Sequence, residues 1–260
     1  MAGGTDILVK MKKGLIQPKY VVDLKGVPGL DSIVREDGYL KIGSLAKLRE
    51  VEMNGLVRER FEAVAEAAGA IGSIQVRNLG TIGGNVCNAS PAADLAPALL
   101  VVGALAKVFG HRGGREVPLE DFFTGVGTTT IEPDELLTEI WLPQPPRRVG
   151  SAFEKYSLRK AMDIATVNAA AQIVLDDEGI CTSARIAFGA VHPTPKRARR
   201  AERALENTKI GDEEIEKASE KALEEISPIT DIRGPAWYRR HVAGVLLRRV
   251  VKSALTKILG

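Results

Sequence analysis

The chain holds 260 residues, 45% hydrophobic and 27% charged, a globular composition with enough apolar material for a sizeable core, which excludes a disordered polymer. Its formal net charge of +3, from 36 basic and 33 acidic side chains, lacks the basic excess of a dedicated nucleic-acid binder. Cys87 and Cys181 form no CxxC pair and are too few to hold an iron–sulfur cluster or a structural zinc, and the scattered His111, His192 and His241 lack metal-ligand spacing.

In chain order, the first feature is Ala2-Gly3-Gly4-Thr5-Asp6, followed by the apolar-rich Ile7-Leu8-Val9-Lys10-Met11. Paired glycines let a backbone turn tightly and let a ligand approach its N–H groups closely. Residues 19–24 and 39–42, rich in Val, Ile and Tyr, are predicted as strands. A helix is predicted over 44–51 with Ser44 as its N-cap, and a second over 61–71, stopping near Gly72. A second glycine loop follows, Asn78-Leu79-Gly80-Thr81-Ile82-Gly83-Gly84-Asn85. Convergent N–H groups in such loops make a concave site for anions such as a pyrophosphate, and Thr5, Thr81 and Asn85 add side-chain donors. Neither loop has the Rossmann or P-loop spacing. Asp94, in a stretch bracketed by Pro91 and Pro97, has two open roles: accepting hydrogen bonds from a polyol, or capping a helix. The residues alone favour the cap.

A strand over 105–109 and a turn through Gly110, Gly113 and Gly114 come next. Pro143-Gln144-Pro145-Pro146-Arg147-Arg148 can neither continue a helix nor sit in a central strand, and reads as a linker. Beyond it, strands are predicted over 152–157, 168–175 and 180–188, the last two joined by the hairpin turn Asp176-Asp177-Glu178-Gly179. Apolar residues at helical spacing then predict a helix over 213–226 capped by Asp212, and a final helix from near Pro235. Strands followed by helices indicate a small α+β layer unit. The basic run 196–203 reads as a solvated helix face, and the last helix as a core-attached one. No signal layout starts the chain, and its longest apolar run, 95–106, is interrupted by Pro97 and Gly103; a cytoplasmic protein without a membrane span is expected.

Taken together, Ala2-Gly3-Gly4-Thr5-Asp6, Thr81-Ile82-Gly83-Gly84-Asn85 and Ala89-Ser90-Pro91-Ala92-Ala93-Asp94 resemble the FAD-contacting motifs of the molybdenum hydroxylases. The resemblance is to their medium, FAD-binding subunit, as in aerobic-type carbon monoxide dehydrogenases and bacterial xanthine dehydrogenases. It continues through Asp121-Phe122-Phe123-Thr124-Gly125, Glu132-Pro133-Asp134-Glu135-Leu136-Leu137, Phe153-Glu154-Lys155-Tyr156-Ser157 and Asp231-Ile232-Arg233-Gly234-Pro235, covering nearly the whole chain in order.

The resemblance implies an α+β chain in two parts. Residues 1–146 would form a PCMH-type FAD-binding domain of two α/β subdomains, and 151–260 a small C-terminal α+β domain with a three-stranded antiparallel sheet and helices. Relatives carry a strand–helix unit before the first Gly-Gly loop, so a truncated N-terminal unit is expected. Gly3, Gly4 and Thr5 would hold the pyrophosphate, with Ala2, Asp6 and Ile7 completing the loop. Thr81, Ile82, Gly83, Gly84 and Asn85 would form a second wall, Asp94 would meet the cofactor's polar part, and Ile71, Leu137 and Lys155 would approach the flavin. The implied function is oxidoreductase electron transfer, from 2Fe–2S clusters of a small subunit through FAD to a terminal acceptor. Substrate would be oxidised at molybdopterin on a large subunit, leaving this chain without catalytic side chains or a metal site of its own. Two other functions are compatible with the same residues. One is a stand-alone FAD-dependent reductase of the same fold, such as UDP-N-acetylenolpyruvoylglucosamine reductase; the other is a cofactor-free assembly or vestigial subunit.

Overall fold

The structure, a computed structural model, describes residues 1–259. After the turn at residues 2–6 comes a short helix, α1 (Ile7–Lys12), none of whose residues is buried. Residues 13–32 form neither helix nor strand. The strand expected over 19–24 is therefore absent, and Tyr20 stands 87% exposed. That segment's backbone meets the chain start instead: Leu24 N–H donates to Met1 O at 3.1 Å, and the Met1 amino group donates to Val22 O. Val- and Tyr-rich sequence favours a pleated surface only where a neighbouring strand supplies the ladder.

The next elements are β1 (Ile33–Glu36), β2 (Tyr39–Gly43), α2 (Leu48–Met53), α3 (Gly55–Arg60), α4 (Glu62–Gly69), α5 (Ile74–Arg77), α6 (Ile82–Asn88) and α7 (Leu95–Val101). They continue with β3 (Leu105–Gly110), β4 (Gly113–Pro118), α8 (Leu119–Phe122), β5 (Phe123–Gly125), β6 (Thr128–Thr129) and β7 (Leu136–Pro143). The five-stranded sheet runs β1-β2-β7-β3-β4, antiparallel throughout. Ser44 does not cap a helix. It lies buried in a turn, and α2 starts later, at Leu48, with Lys47 in the cap position, where its N–H donates to the Glu50 carboxylate at 3.0 Å. The reason is long-range: backbone 44–48 is held by backbone 80–83, through Leu48 N–H to Gly80 O, Ile82 N–H to Ala46 O and Gly83 N–H to Ser44 O.

After residues 144–148 come β8 (Val149–Tyr156), β9 (Val167–Leu175), β10 (Cys181–Gly189), β11 (Lys196–Arg197), α9 (Arg199–Leu205), α10 (Asp212–Leu223) and α11 (Ala236–Leu259). The second sheet runs β11-β10-β9-β8; two-residue β11 extends the expected three strands to four. Asp212 lies inside α10 and pairs with Lys252, while Gly211 takes the cap position and donates to Glu214. The basic run is only partly a solvated face. Lys196 and Arg197 are strand residues, and Arg197 grips Glu202, which is buried and also accepts from Ile186 N–H at 2.9 Å.

Because successive strand side chains point to opposite faces, the second sheet contributes to two cores. Phe153, Ala170 and Ala187 pack with α4 and α7 in one apolar cluster. Ala169, Ala171, Ile173, Ala184, Ile186 and Phe188 pack with α9, α10 and α11 in the other. Burial on both faces explains why β9 reads as a nearly unbroken apolar run rather than an alternating one. Among the described residues no helix is long and apolar enough to cross a membrane.

Candidate functional site

The two glycine loops, far apart in sequence, touch through bare backbone. A Cβ on Gly3 would collide with Leu79 O, and one on Gly83 would come within 2.6 Å of Ser44 Cβ and O. Gly4 takes a left-handed φ of +79°, which a side chain disfavours. Together they line a cleft of about 760 Å³, well within the range of small-molecule sites.

The loops differ in their free donors. In the second, Ile82 and Gly83 N–H go to Ala46 O and Ser44 O, Gly84 N–H to the capping Thr81 hydroxyl at 3.1 Å, and Asn85 N–H to Thr81 O at 3.0 Å. In the first, the N–H groups of Gly3, Gly4, Thr5, Asp6 and Ile7 donate to no acceptor among the described residues. Consecutive amides without protein partners at the start of a helix are what an anionic group requires. The Asn85 carboxamide oxygen adds a buried polar atom without a partner, on the cleft wall.

Opposite the loops, Asp94 lies at the N-cap position of α7 but caps nothing. Tertiary contacts take its carboxylate instead: one oxygen accepts from Lys155 Nζ at 2.7 Å and the other from Asn168 Nδ2 at 2.8 Å. Burial pushes its pKa above the ordinary 3.8, opposed by the Lys155 ammonium and the Asn168 amide. Lys155 also donates to Ala70 O at 3.2 Å. Nearby, Arg77, itself paired with Glu52, donates to Ile71 O at 3.0 Å and steadies the bend at Gly72.

Ala2, Gly3, Gly4, Thr5, Asp6, Ile7, Ile71, Thr81, Gly83, Gly84, Asn85, Asp94 and Leu137 all line the cleft. Ile82 turns into the core, and Lys155 stands behind Asp94 rather than on the wall. Sequence reasoning missed Ser44, Leu45 and Leu48, which line the floor, and Met162, Asp163 and Ile164, which bring the second half of the chain to the mouth. The latter loop is latched by Met162 N–H to Gly72 O at 3.1 Å. Asn168 carried one usable signal: a polar side chain in the otherwise apolar start of β9. Among the described residues no group of His, Cys, Asp or Glu could hold a metal ion.

Comparison with known proteins gives the chain a family. The family described as the FAD binding domain in molybdopterin dehydrogenase matches residues 1–145, and the CO dehydrogenase flavoprotein C-terminal domain matches 152–254. The xanthine dehydrogenase FAD-binding subunit of Escherichia coli O157:H7 is 35% identical over 257 residues, 98% of this chain and 88% of the relative. The carbon monoxide dehydrogenase medium chain of Afipia carboxidovorans is 35% identical over 254 residues, again 98% and 88%. A solved Cu,Mo-CO dehydrogenase in its cyanide-inactivated form superposes with a TM-score of 0.94 at 35% identity, covering 98% of this chain and 89% of that one. Quinoline 2-oxidoreductase from Pseudomonas putida 86 does so at 0.93 and 29%, covering 100% and 90%. With the cleft's free amides and this match along both halves, the chain belongs to the FAD-binding subunits of the molybdenum hydroxylase family of oxidoreductases.

Proposed function

We propose that the chain holds FAD in the cleft between its two glycine loops and relays electrons from 2Fe–2S clusters of a small partner subunit to a terminal acceptor. A large molybdopterin-bearing subunit would oxidise the substrate, and the assembly would work in the cytoplasm. The names of the relatives, a xanthine dehydrogenase FAD-binding subunit and a carbon monoxide dehydrogenase medium chain, support this reading. The observation that carries it is the run of unpartnered amides from Gly3 to Ile7, in a loop that lines a cleft of about 760 Å³.

Bound FAD supplies the redox chemistry, taking up electrons singly and releasing them in pairs; the chain's residues bind, orient and shield it. In this reading the Gly3–Ile7 amides hold the diphosphate, because bare backbone donors reach it without steric hindrance. The second loop, its amides already engaged, acts as a rigid wall from which Asn85 offers its carboxamide. Asp94, an acceptor held by Lys155 and Asn168, takes a hydroxyl of the cofactor's polyol chain. Ile71 and Leu137 present apolar surface to the ring system. No side chain needs to act as acid, base or nucleophile.

The test is direct. The full chain is purified, denatured, and the released flavin quantified against protein. About one FAD per chain is expected, and a chain that stays colourless after incubation with excess FAD sinks the reading. Co-purification with a molybdopterin-bearing and an iron–sulfur subunit tests the relay.

A further inference from the structure

A row of residues across the second sheet reaches into the first half of the molecule. Lys155 on β8 pairs in register with Asn168 on β9, which pairs with Gly189 on β10. Lys155 and Asn168 both project onto Asp94. Gly189 makes this possible, since a Cβ there would collide with the Asn168 carboxamide oxygen. The neighbouring backbone is fastened too, by Ala190 N–H to Pro91 O at 2.6 Å.

Asn168 is fully buried, and its amide orientation is dictated by chemistry. A carboxylate only accepts, so Nδ2 must face Asp94 and Oδ1 must face away. Oδ1 then has no donor. A side chain retained only for packing would be apolar here, as at Ala169, Ala170 and Ala171 beside it. A buried polar group satisfied at one end only calls for a reason at the other. That other end fixes a carboxylate that lines the cleft, and Lys155 is the one charged side chain paired with it among the described residues.

We propose that Asn168 is a positioning residue of the cofactor site. Through the row Lys155, Asn168 and Gly189, the C-terminal sheet holds the Asp94 carboxylate in one orientation, and so sets how tightly the cleft binds FAD. This rests on the FAD reading above. With Lys155 on one oxygen and Asn168 on the other, the carboxylate is fixed where it lines the cleft, and its remaining acceptor capacity is left for a ligand hydroxyl. Without the Asn168 donor, one oxygen is freed to rotate or take up a proton.

The experiment measures the FAD dissociation constant of the full chain by flavin fluorescence, from about pH 6 to about pH 8, alongside the urea midpoint of FAD-free protein. Asn168→Leu keeps the branched outline and removes the donor; binding is expected to weaken about tenfold or more, as for loss of a hydrogen bond to a charged group. Asn168→Asp sets two carboxylates side by side. One proton shared between them restores a donor, so its binding should tighten as the pH falls, while the native chain stays flat. Packing alone produces no such slope. If Asn168→Leu does not fold, the slope of Asn168→Asp decides. Native affinity and a flat profile in Asn168→Asp overturn the inference, as does a loss in Asn168→Leu that its urea midpoint fully accounts for. A native chain that binds no FAD overturns the cofactor reading itself, and this inference with it.

Discussion

The two walls of the cleft are built on opposite principles. The inner wall, α6 and Asp94 with Lys155 and Asn168 behind it, packs into the fold, and nearly every donor in it is engaged within the protein. The outer wall, Gly3 to Ile7, leads into a helix without a single buried residue and keeps its amides free. Buried polar groups must be paired inside the fold, whereas amides at an exposed turn can wait for a ligand while water solvates them. The inner wall therefore belongs to folding and shapes the site; the outer wall belongs to binding.

Substitutions should separate these roles, and the largest stability effect is expected at the inner ion pair. Lys155→Met leaves the Asp94 carboxylate buried beside Asn168 alone, at a cost of about 3–5 kcal/mol. The sign with pH follows from the raised folded pKa of Asp94. Below the ordinary carboxylate value of 3.8 both folded and unfolded forms are protonated and the penalty is absent. It grows as pH rises through the folded value, so the urea-midpoint deficit should be smaller at about pH 5 than at about pH 8. A deficit independent of pH would mean that the pair is not what the substitution breaks.

Gly83→Val drives a side chain into Ser44 and should destabilise the chain by about 1–3 kcal/mol, read by urea unfolding without FAD. Thr81→Ala removes the hydroxyl that accepts from Gly84 N–H, for about 1 kcal/mol by the same measurement. Gly3→Ala should invert the pattern. Its Cβ meets Leu79 O, so the exposed loop must shift away from the second loop. Unfolding should change by less than about 1 kcal/mol while FAD binding weakens about tenfold or more. A Gly3→Ala chain that unfolds early but binds FAD normally would erase the distinction between the walls.

Much of the frame was legible because it rests on local rules. The turn at residues 176–179, the stop of α4 before Gly72 and the start of α11 after Pro235 depend on backbone preferences of nearby residues. Both glycine loops could be found for the same reason. The strand expected over 19–24 failed because its composition could not reveal that no partner strand lies beside it. The cap expected at Ser44 failed because its carbonyl and neighbours are held by residues nearly forty positions away, at Gly80 to Gly83. Met162, Asp163 and Ile164 carried no signal, since an ordinary loop becomes part of a site only through where the second sheet delivers it.

By itself, the sequence determined where the chain turns, where glycine is required, and which motifs tie it to its family. Only the tertiary structure decided which amides stay free, and that Asp94, which the residues alone favoured as a cap, turns to Lys155 and Asn168. Conformational preference is set by a residue and its neighbours. The partner of a buried charge, or its lack of one, is set by whatever the fold brings within about 3 Å of it.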